Sequence, residues 1–368
     1  MKYSAYVLLA VFSLIYPSSL SLMEIGGEIR TSAGIICTES EMKASLSGLA
    51  EIELFFSSPE SVEPRLVFQA ELADENIKPG IKYMYLRPRG EWGHFTIGRQ
   101  PVFWSYGAML NLMDYGLGVD DLAGETLRTG IDGLRYHRLI GDGRSIQFVA
   151  SFPERTNVKF DHMGFGSRLR IPGKGRDISF NFLYQPLDPV SEGVFSDSLL
   201  RAGATWSFDA GPFGLYGSGG YFRLSDSGES DLLAQLGVDT SWRAGGGRYV
   251  VVLQAEYYRF VEEKMNASVL AGLQLGGGSI ERGAQEAGAF GILGGNDLFL
   301  ANIYFQPDFF TSAGTLLFIE TENETGGIAP YYITELGGNV ELRFDSSLML
   351  DGGEDIHFGL TTSLYYYF

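Results

Sequence analysis

Apolar and small or polar residues alternate with a period of two along most of this chain, in segments of roughly 8 to 13 residues. At the C-terminus Phe358, Leu360, Thr362, Leu364, Tyr366 and Phe368 share one face, and Gly359, Thr361, Ser363, Tyr365 and Tyr367 share the other. A strict period of two predicts one strand with two environments. Val251, Leu253, Ala255 and Tyr257 alternate in the same way with Val252, Gln254, Glu256 and Tyr258, and Ile178, Phe180, Phe182 and Tyr184 alternate with Ser179, Asn181, Leu183 and Gln185. Weaker versions run through 25–34, 44–56, 65–73, 81–88, 92–99, 131–140, 145–152, 162–171, 198–208, 213–223, 231–243, 265–276, 297–306, 310–320 and 331–344. Together these are 18 segments. Glycines dilute the first and the pair around Arg87 to Glu91 is weak, so the pattern spans 16 to 18 strands and favours 18.

The connections differ in kind. Pro88-Arg89-Gly90, Gly141-Asp142-Gly143, Gly173-Lys174-Gly175, Asp209-Ala210-Gly211, Ala244 to Gly247 and Gln306-Pro307-Asp308 read as tight turns, whereas 101–130, 153–161, 188–197, 224–230, 277–296 and 321–330 read as longer links. Gly276-Gly277-Gly278, Gly294-Gly295 and Gly326-Gly327 lack the residues of a nucleotide-binding loop and also read as links. Short turns on one rim and longer loops on the other describe an up-and-down barrel.

A soluble sandwich or solenoid would turn the apolar row inward, while a membrane barrel turns it to lipid and lines a wet lumen with the polar row. No fixed repeat supports a solenoid. Aromatics gather near segment ends, as in Tyr257-Tyr258, Tyr331-Tyr332 and Tyr365 to Phe368, where interfacial girdles need them. No stretch of 18 uninterrupted apolar residues follows the N-terminus, so helical spans are not expected. The expected architecture is all-β: a single transmembrane antiparallel up-and-down barrel over 22–368, with short periplasmic turns and longer extracellular loops. Lys2, the apolar run Ala5 to Tyr16 and the small, polar Pro17 to Ser21 predict a signal peptide over 1–21.

Charge narrows the partners. The whole chain has 27 basic and 45 acidic residues, and removing residues 1–21 takes away Lys2 and no acid, leaving 26 against 45, a net charge of −19. Such a chain lacks the basic footprint of a nucleic-acid binder. The lone Cys37 excludes an intrachain disulfide and a cysteine metal cluster. Asp351 to Asp355 is acidic without the ligand spacing of a helix–loop–helix calcium site, and no cofactor or metal is implied.

From Trp92 to Asp121 the chain reads WGHFTIGRQPVFWSYGAMLNLMDYGLGVDD and resembles Gram-negative outer-membrane porin-like barrels. The positions that carry the resemblance are Gly98, Arg99 and Gln100 at a strand end, Trp104 and Gly107 in a turn, and Asn111 and Asp114 in an Asn/Asp-rich loop. Ser105-Tyr106 separates Trp104 from Gly107, where such proteins often have Trp and Gly adjacent. A last strand ending on Phe368 is similar to the signal read by the barrel-assembly machinery. The resemblance implies the bacterial outer membrane, a surrounding of lipid and lipopolysaccharide, and passive diffusion of small hydrophilic solutes or ions. It leaves monomer and homo-oligomer open.

The 101–130 link is long and too apolar for simple disorder, with Phe103, Trp104, Tyr106, Met109, Leu110, Leu112, Met113 and Tyr115. It is expected to fold into the lumen and set Asp114, Asp120 and Asp121 opposite Arg99, with Arg87 and Arg135 on nearby wall positions and Trp104 at the narrowing. The competing reading is a lid on the rim. The acidic surplus leans the pore to cations, and the lack of a lysine cluster argues against a phosphate-type channel. Two alternatives keep the barrel: a plugged structural or adhesive barrel, and a barrel enzyme such as a phospholipase or protease. For the last, His94, His137, His162 and His357 lack a serine in a recognisable nucleophile context, and no catalysis is expected.

Overall fold

The computed structural model describes residues 23–37, 42–56, 62–73, 76–104, 106, 109–111, 113, 118–119, 131–152, 163–186, 198–225, 228–262, 296–322, 324–351 and 355–368. The segment 1–21, expected to be a signal peptide, lies outside them. The strands are β1 (Met23–Cys37), β2 (Met42–Phe56), β3 (Val62–Ala73), β4 (Asn76–Gly90), β5 (Gly93–Gln100), β6 (Leu110–Asn111), β7 (Gly118–Val119), β8 (Ile131–Gly141), β9 (Arg144–Ser151) and β10 (Gly164–Gly173). They continue as β11 (Arg176–Pro186), β12 (Ser198–Ala210), β13 (Phe213–Leu224), β14 (Ser230–Ala244), β15 (Tyr249–Phe260), β16 (Asp297–Gln306), β17 (Thr311–Glu320), β18 (Thr325–Gly337), β19 (Val340–Asp351) and β20 (Asp355–Tyr367).

Each barrel strand pairs antiparallel with its neighbours, and β20 returns to β1 with Glu28 opposite Tyr367 and Cys37 opposite Phe358. Reciprocal backbone bonds of 3.0 Å between Gly27 and Phe368 finish the seam. The result is a closed sheet of 18 strands with no open edge, as a bilayer demands of any spanning backbone. Among the described strands only β6 and β7 stand apart, as a two-stranded sheet within the connection between β5 and β8.

The alternation sorts side chains between lipid and lumen. On β20, Phe358, Leu360, Leu364 and Tyr366 are 43–45% exposed while Ser363 is 3% exposed. On β11, Phe180 and Phe182 face outward, whereas Ser179, Asn181 and Leu183 are buried inside. Two aromatic bands flank the apolar belt. Phe208, Phe213, Trp242, Phe305, Phe344 and Tyr366 lie toward the short-turn rim, and Phe165, Tyr221, Tyr257, Phe299 and Phe358 toward the other. This is a transmembrane barrel of the outer-membrane type, and no described helix is long and apolar enough to cross a membrane.

Several segment boundaries differ from the sequence expectation. The expected strand 331–344 contains the hairpin between β18 and β19, turning at Gly338 and Asn339 with φ of 63° and 64°. Positive φ at both central residues is the tight hairpin geometry whose twist suits the flanking strands. The link 321–330 shrinks to 321–324, because Thr325 to Pro330 begin β18, and Gly326 and Gly327 are strand residues. The turn expected at 88–90 falls at 91–92, past the end of β4. The expected strand 265–276 and the glycines at 276–278 and 294–295 lie outside the described residues. The expected number of 18 thus coincides with the observed one although one constituent strand differs.

Tight connections at 91–92, 142–143, 174–175, 211–212, 245–248, 307–310 and 338–339 share the periplasmic rim. The strand ends that flank 74–75, 101–130, 153–163, 187–197, 261–296 and 352–354 gather at the opposite, extracellular rim.

Candidate functional site

The inner face near the periplasmic rim is a mesh of charges matched by register. Val67 opposes both Glu53 and Tyr83 on the neighbouring strands, and around it Arg65 donates to Glu53 at 2.6 Å. A bulge between Val67 and Phe68 turns Lys82 onto Glu51, at 2.6 and 2.8 Å. Arg87 donates to Glu63 at 3.1 Å and stacks over the Tyr85 ring. A few strands away in either direction, Arg170 donates to Asp177 at 2.6 Å and Arg343 to Asp345 at 2.9 Å. These half-buried pairs hold polar side chains against the wall in a lumen where each charge has a partner or water.

Toward the extracellular rim the inner row changes character. Leu183, Leu199, Phe222, Leu233, Phe260 and Leu298 are each at most 3% exposed, although they occupy lumen-facing positions. The segment that follows β5 joins them. Val102, Trp104, Met109 and Met113 are 0–5% exposed and pack into the same cluster. Gly220 makes room for this contact, since a Cβ there would lie 3.1 Å from the Met113 sulfur and 3.0 Å from the Ala202 carbonyl. Polar bonds fix the segment's course. Trp104 Nε1 donates to Gln147 at 2.9 Å, Arg168 donates to the Tyr106 hydroxyl at 3.0 Å, and the Met109 N–H donates to Glu256 Oε1 at 3.0 Å. Glu256, 1% exposed, also accepts from the hydroxyls of Tyr216 and Tyr258. Described residues of the 101–130 connection therefore lie on the inner wall of the barrel.

The other sequence candidates divide. Asp114, Asp120 and Asp121, with Gly107, lie outside the described residues, and Asn111 sits in β6. Arg99 is bonded to Asp132 across β5 and β8, with Nε to Oδ1 at 2.9 Å, and donates to the Ile81 carbonyl at 2.9 Å. Its guanidinium is thus engaged with β8 and β4. Gly98 before it takes φ of 117°, and Gln100 folds back to donate to the Thr96 carbonyl at 3.0 Å. Arg135 points inward opposite Thr96, which is 2% exposed, and donates to the Pro101 carbonyl at 3.2 Å. Two contacts escaped the sequence reading: the register sets His94 opposite His137, and Gln147 next to His137. Arg87, His94, Thr96, Arg135, His137 and Gln147 line a cavity of about 350 Å³. His162 is outside the described residues, and no three described His, Cys, Asp or Glu residues converge as a metal site.

The fold is that of an outer-membrane porin barrel. A BenF-like porin from Pseudomonas fluorescens superposes with a TM-score of 0.58 at 9% identity, covering 95% of this chain and all of that one. OpdO of Pseudomonas aeruginosa gives 0.56 at 10% identity over 96% and 99% of the two chains. Wzi of Escherichia coli, described as a carbohydrate-binding β-barrel involved in group 1 capsule assembly, gives 0.58 at 14% identity over 100% and 89%. No protein-family model matches the sequence, and no curated protein matches it. At such identities the likeness concerns the fold.

Proposed function

We infer that this barrel is an outer-membrane channel for passive diffusion of small hydrophilic solutes or ions, narrowed by the segment that follows β5. The observation that carries this reading is the chemistry of the periplasmic half of the inner wall. It is ion-paired and hydrogen-bonded around a cavity, whereas an interior serving only as a core would be apolar throughout. The Gly98-Arg99-Gln100 strand end followed by Trp104 is the porin-like signature of this narrowing. The chain-wide acidic surplus leans the pore to cations, with Asp114, Asp120 and Asp121 as the acids of the constriction. Lipid and lipopolysaccharide surround the belt, the barrel-assembly machinery inserts the chain by its last strand, and monomer and trimer both suit the outer face. No catalytic step is assigned to the histidines.

The test is single-channel recording of the purified barrel in a planar bilayer under a KCl gradient. Stepwise currents with cation-sided reversal are expected, and replacing Asp114, Asp120 and Asp121 together by Asn should move the reversal potential toward zero. A folded, heat-modifiable barrel that never conducts would refute the channel, and an unchanged reversal potential would remove those aspartates from selectivity.

A closed, ligand-holding barrel is the second reading, favoured by the dry packing of Trp104, Met109 and Met113. The carbohydrate-binding Wzi barrel has the same fold. Oligosaccharide binding by a non-conducting barrel would select it.

A further inference from the structure

We propose that the periplasmic half of the lumen holds a binding site for a small tetrahedral oxyanion of the sulfate or phosphate class, on the wall formed by β4, β5, β8 and β9. The lining of the cavity contains two guanidinium groups, two imidazoles, a hydroxyl and an amide, and no carboxylate. Among the described residues Arg135 donates to neutral acceptors alone, the Pro101 carbonyl at 3.2 Å and Thr96 Oγ1 at 3.4 Å. Among the described residues no carboxylate pairs with it. His94 and His137 face each other with ring centroids 6.2 Å apart, and the buried Nδ1 of His94 has no hydrogen-bond partner. Trp104 can only donate, so its bond to Gln147 Oε1 identifies that atom as the oxygen and leaves the amide N–H groups for the cavity.

The neighbouring charges reinforce this polarity. Arg168, beside Gln147 on β10, is anchored by Ser179 and Tyr106, and Arg170 pairs with Asp177. Glu63 holds one edge of Arg87. Arg87 is matched by Glu63, so the surplus positive charge is that of Arg135; together with the donors gathered beside it in a confined space it is stabilised by an anion that accepts several hydrogen bonds at once. The cavity exceeds the volume of one such ion, so water or the remainder of a solute bearing the group would share it. The earlier expectation against phosphate rested on the scarcity of lysine; here the cations are arginines brought together by strand register.

Calorimetry on the folded full-length barrel in detergent tests the site, with sodium sulfate titrated at constant ionic strength against sodium chloride. Saturable binding of one sulfate per barrel, with sulfate favoured over chloride, is expected. Arg135→Gln and His137→Gln should each weaken it by about tenfold, the loss of one charge-assisted hydrogen bond. Arg343→Gln, on β19 with its partner Asp345, should leave it unchanged. Heat-modifiability on electrophoresis certifies that each variant is folded. Glucose 6-phosphate binding more tightly than inorganic phosphate would mean that the group arrives on a sugar; equal affinity would mean the free ion. Absence of saturable binding, chloride matching sulfate, or wild-type affinity in both lumen variants overturns the proposal. Because heat rather than current is read, a non-conducting barrel that binds sulfate keeps this site and loses the channel, and a conducting barrel that does not bind does the reverse.

Discussion

The two halves of the lumen are built from the same strands and obey the same alternation, yet their inner rows are packed differently. Near the periplasmic rim the inner row presents Glu51, Glu53, Lys82, Arg87, Arg135 and His137, arranged as pairs or around a cavity. Near the extracellular rim the same row presents Leu183, Leu199, Phe222 and Phe260 in one cluster with Trp104, Met109 and Met113, alongside the deeply buried charges of Arg201, Asp231, Glu256 and Glu320. An apolar inner row in a water-filled barrel would be exposed and unfavourable, so these residues make sense only with the segment docked. In the periplasmic half, conversely, dry packing would strand the ionised groups without water. The barrel thus keeps a core and an aqueous cavity in one lumen, and the boundary passes through the contact of Trp104 with Gln147.

The largest expected effect comes from Trp104→Ala, which removes a 1%-exposed side chain from the cluster. Loss of such a residue costs about 3–5 kcal/mol, enough to shift the docked equilibrium by roughly two to three and a half orders of magnitude at about 1.4 kcal/mol per decade. Hydrogen exchange should rise at the Met109 amide while the barrel strands stay protected. Unchanged protection there would mean that the cluster does not hold the segment.

Glu256→Gln acts at the same place through polar contacts, keeping the shape but removing the charge that accepts from Met109, Tyr216 and Tyr258. A loss of about 1.5–3 kcal/mol is expected for bonds to a charged group, read as a lower temperature for segment release. If the variant matches wild type, the segment is held by packing alone.

Breaking a pair in the periplasmic half should matter least. Arg65 and Glu53 are 40% and 21% exposed, so water and salt screen them. A double-mutant cycle with Arg65→Gln and Glu53→Gln should give a coupling of only about 0.2–1 kcal/mol, weakening as salt is added. A coupling as large as that of the Glu256 network would erase the contrast between the halves.

How much of this was legible beforehand differs from element to element. The lipid-facing rows of β11, β15 and β20 followed from their period of two, because lipid on one side and water on the other impose opposite demands on successive residues. The hairpin at Gly338-Asn339 was passed over because the alternation on either side of a two-residue turn continues as if it were one strand. The apolar positions on the polar row, such as Leu183 and Tyr258, were visible in the sequence, but nothing local says what covers them. Arg99 is bonded to Asp132, 33 residues away along the chain, a partner that strand register supplies and no local pattern names.

Strand existence, the two-faced chemistry of each strand and the membrane-barrel class were determined by the sequence alone, since they depend on neighbours one and two positions apart and on the solvent each face meets. Closure into 18 strands, the meeting of His94 with His137, the partners of each arginine and the docking of Trp104, Met109 and Met113 were decided only by the tertiary structure. Those depend on strand register and on a connection folding back through the barrel, where residues far apart in the chain come within a hydrogen bond of one another.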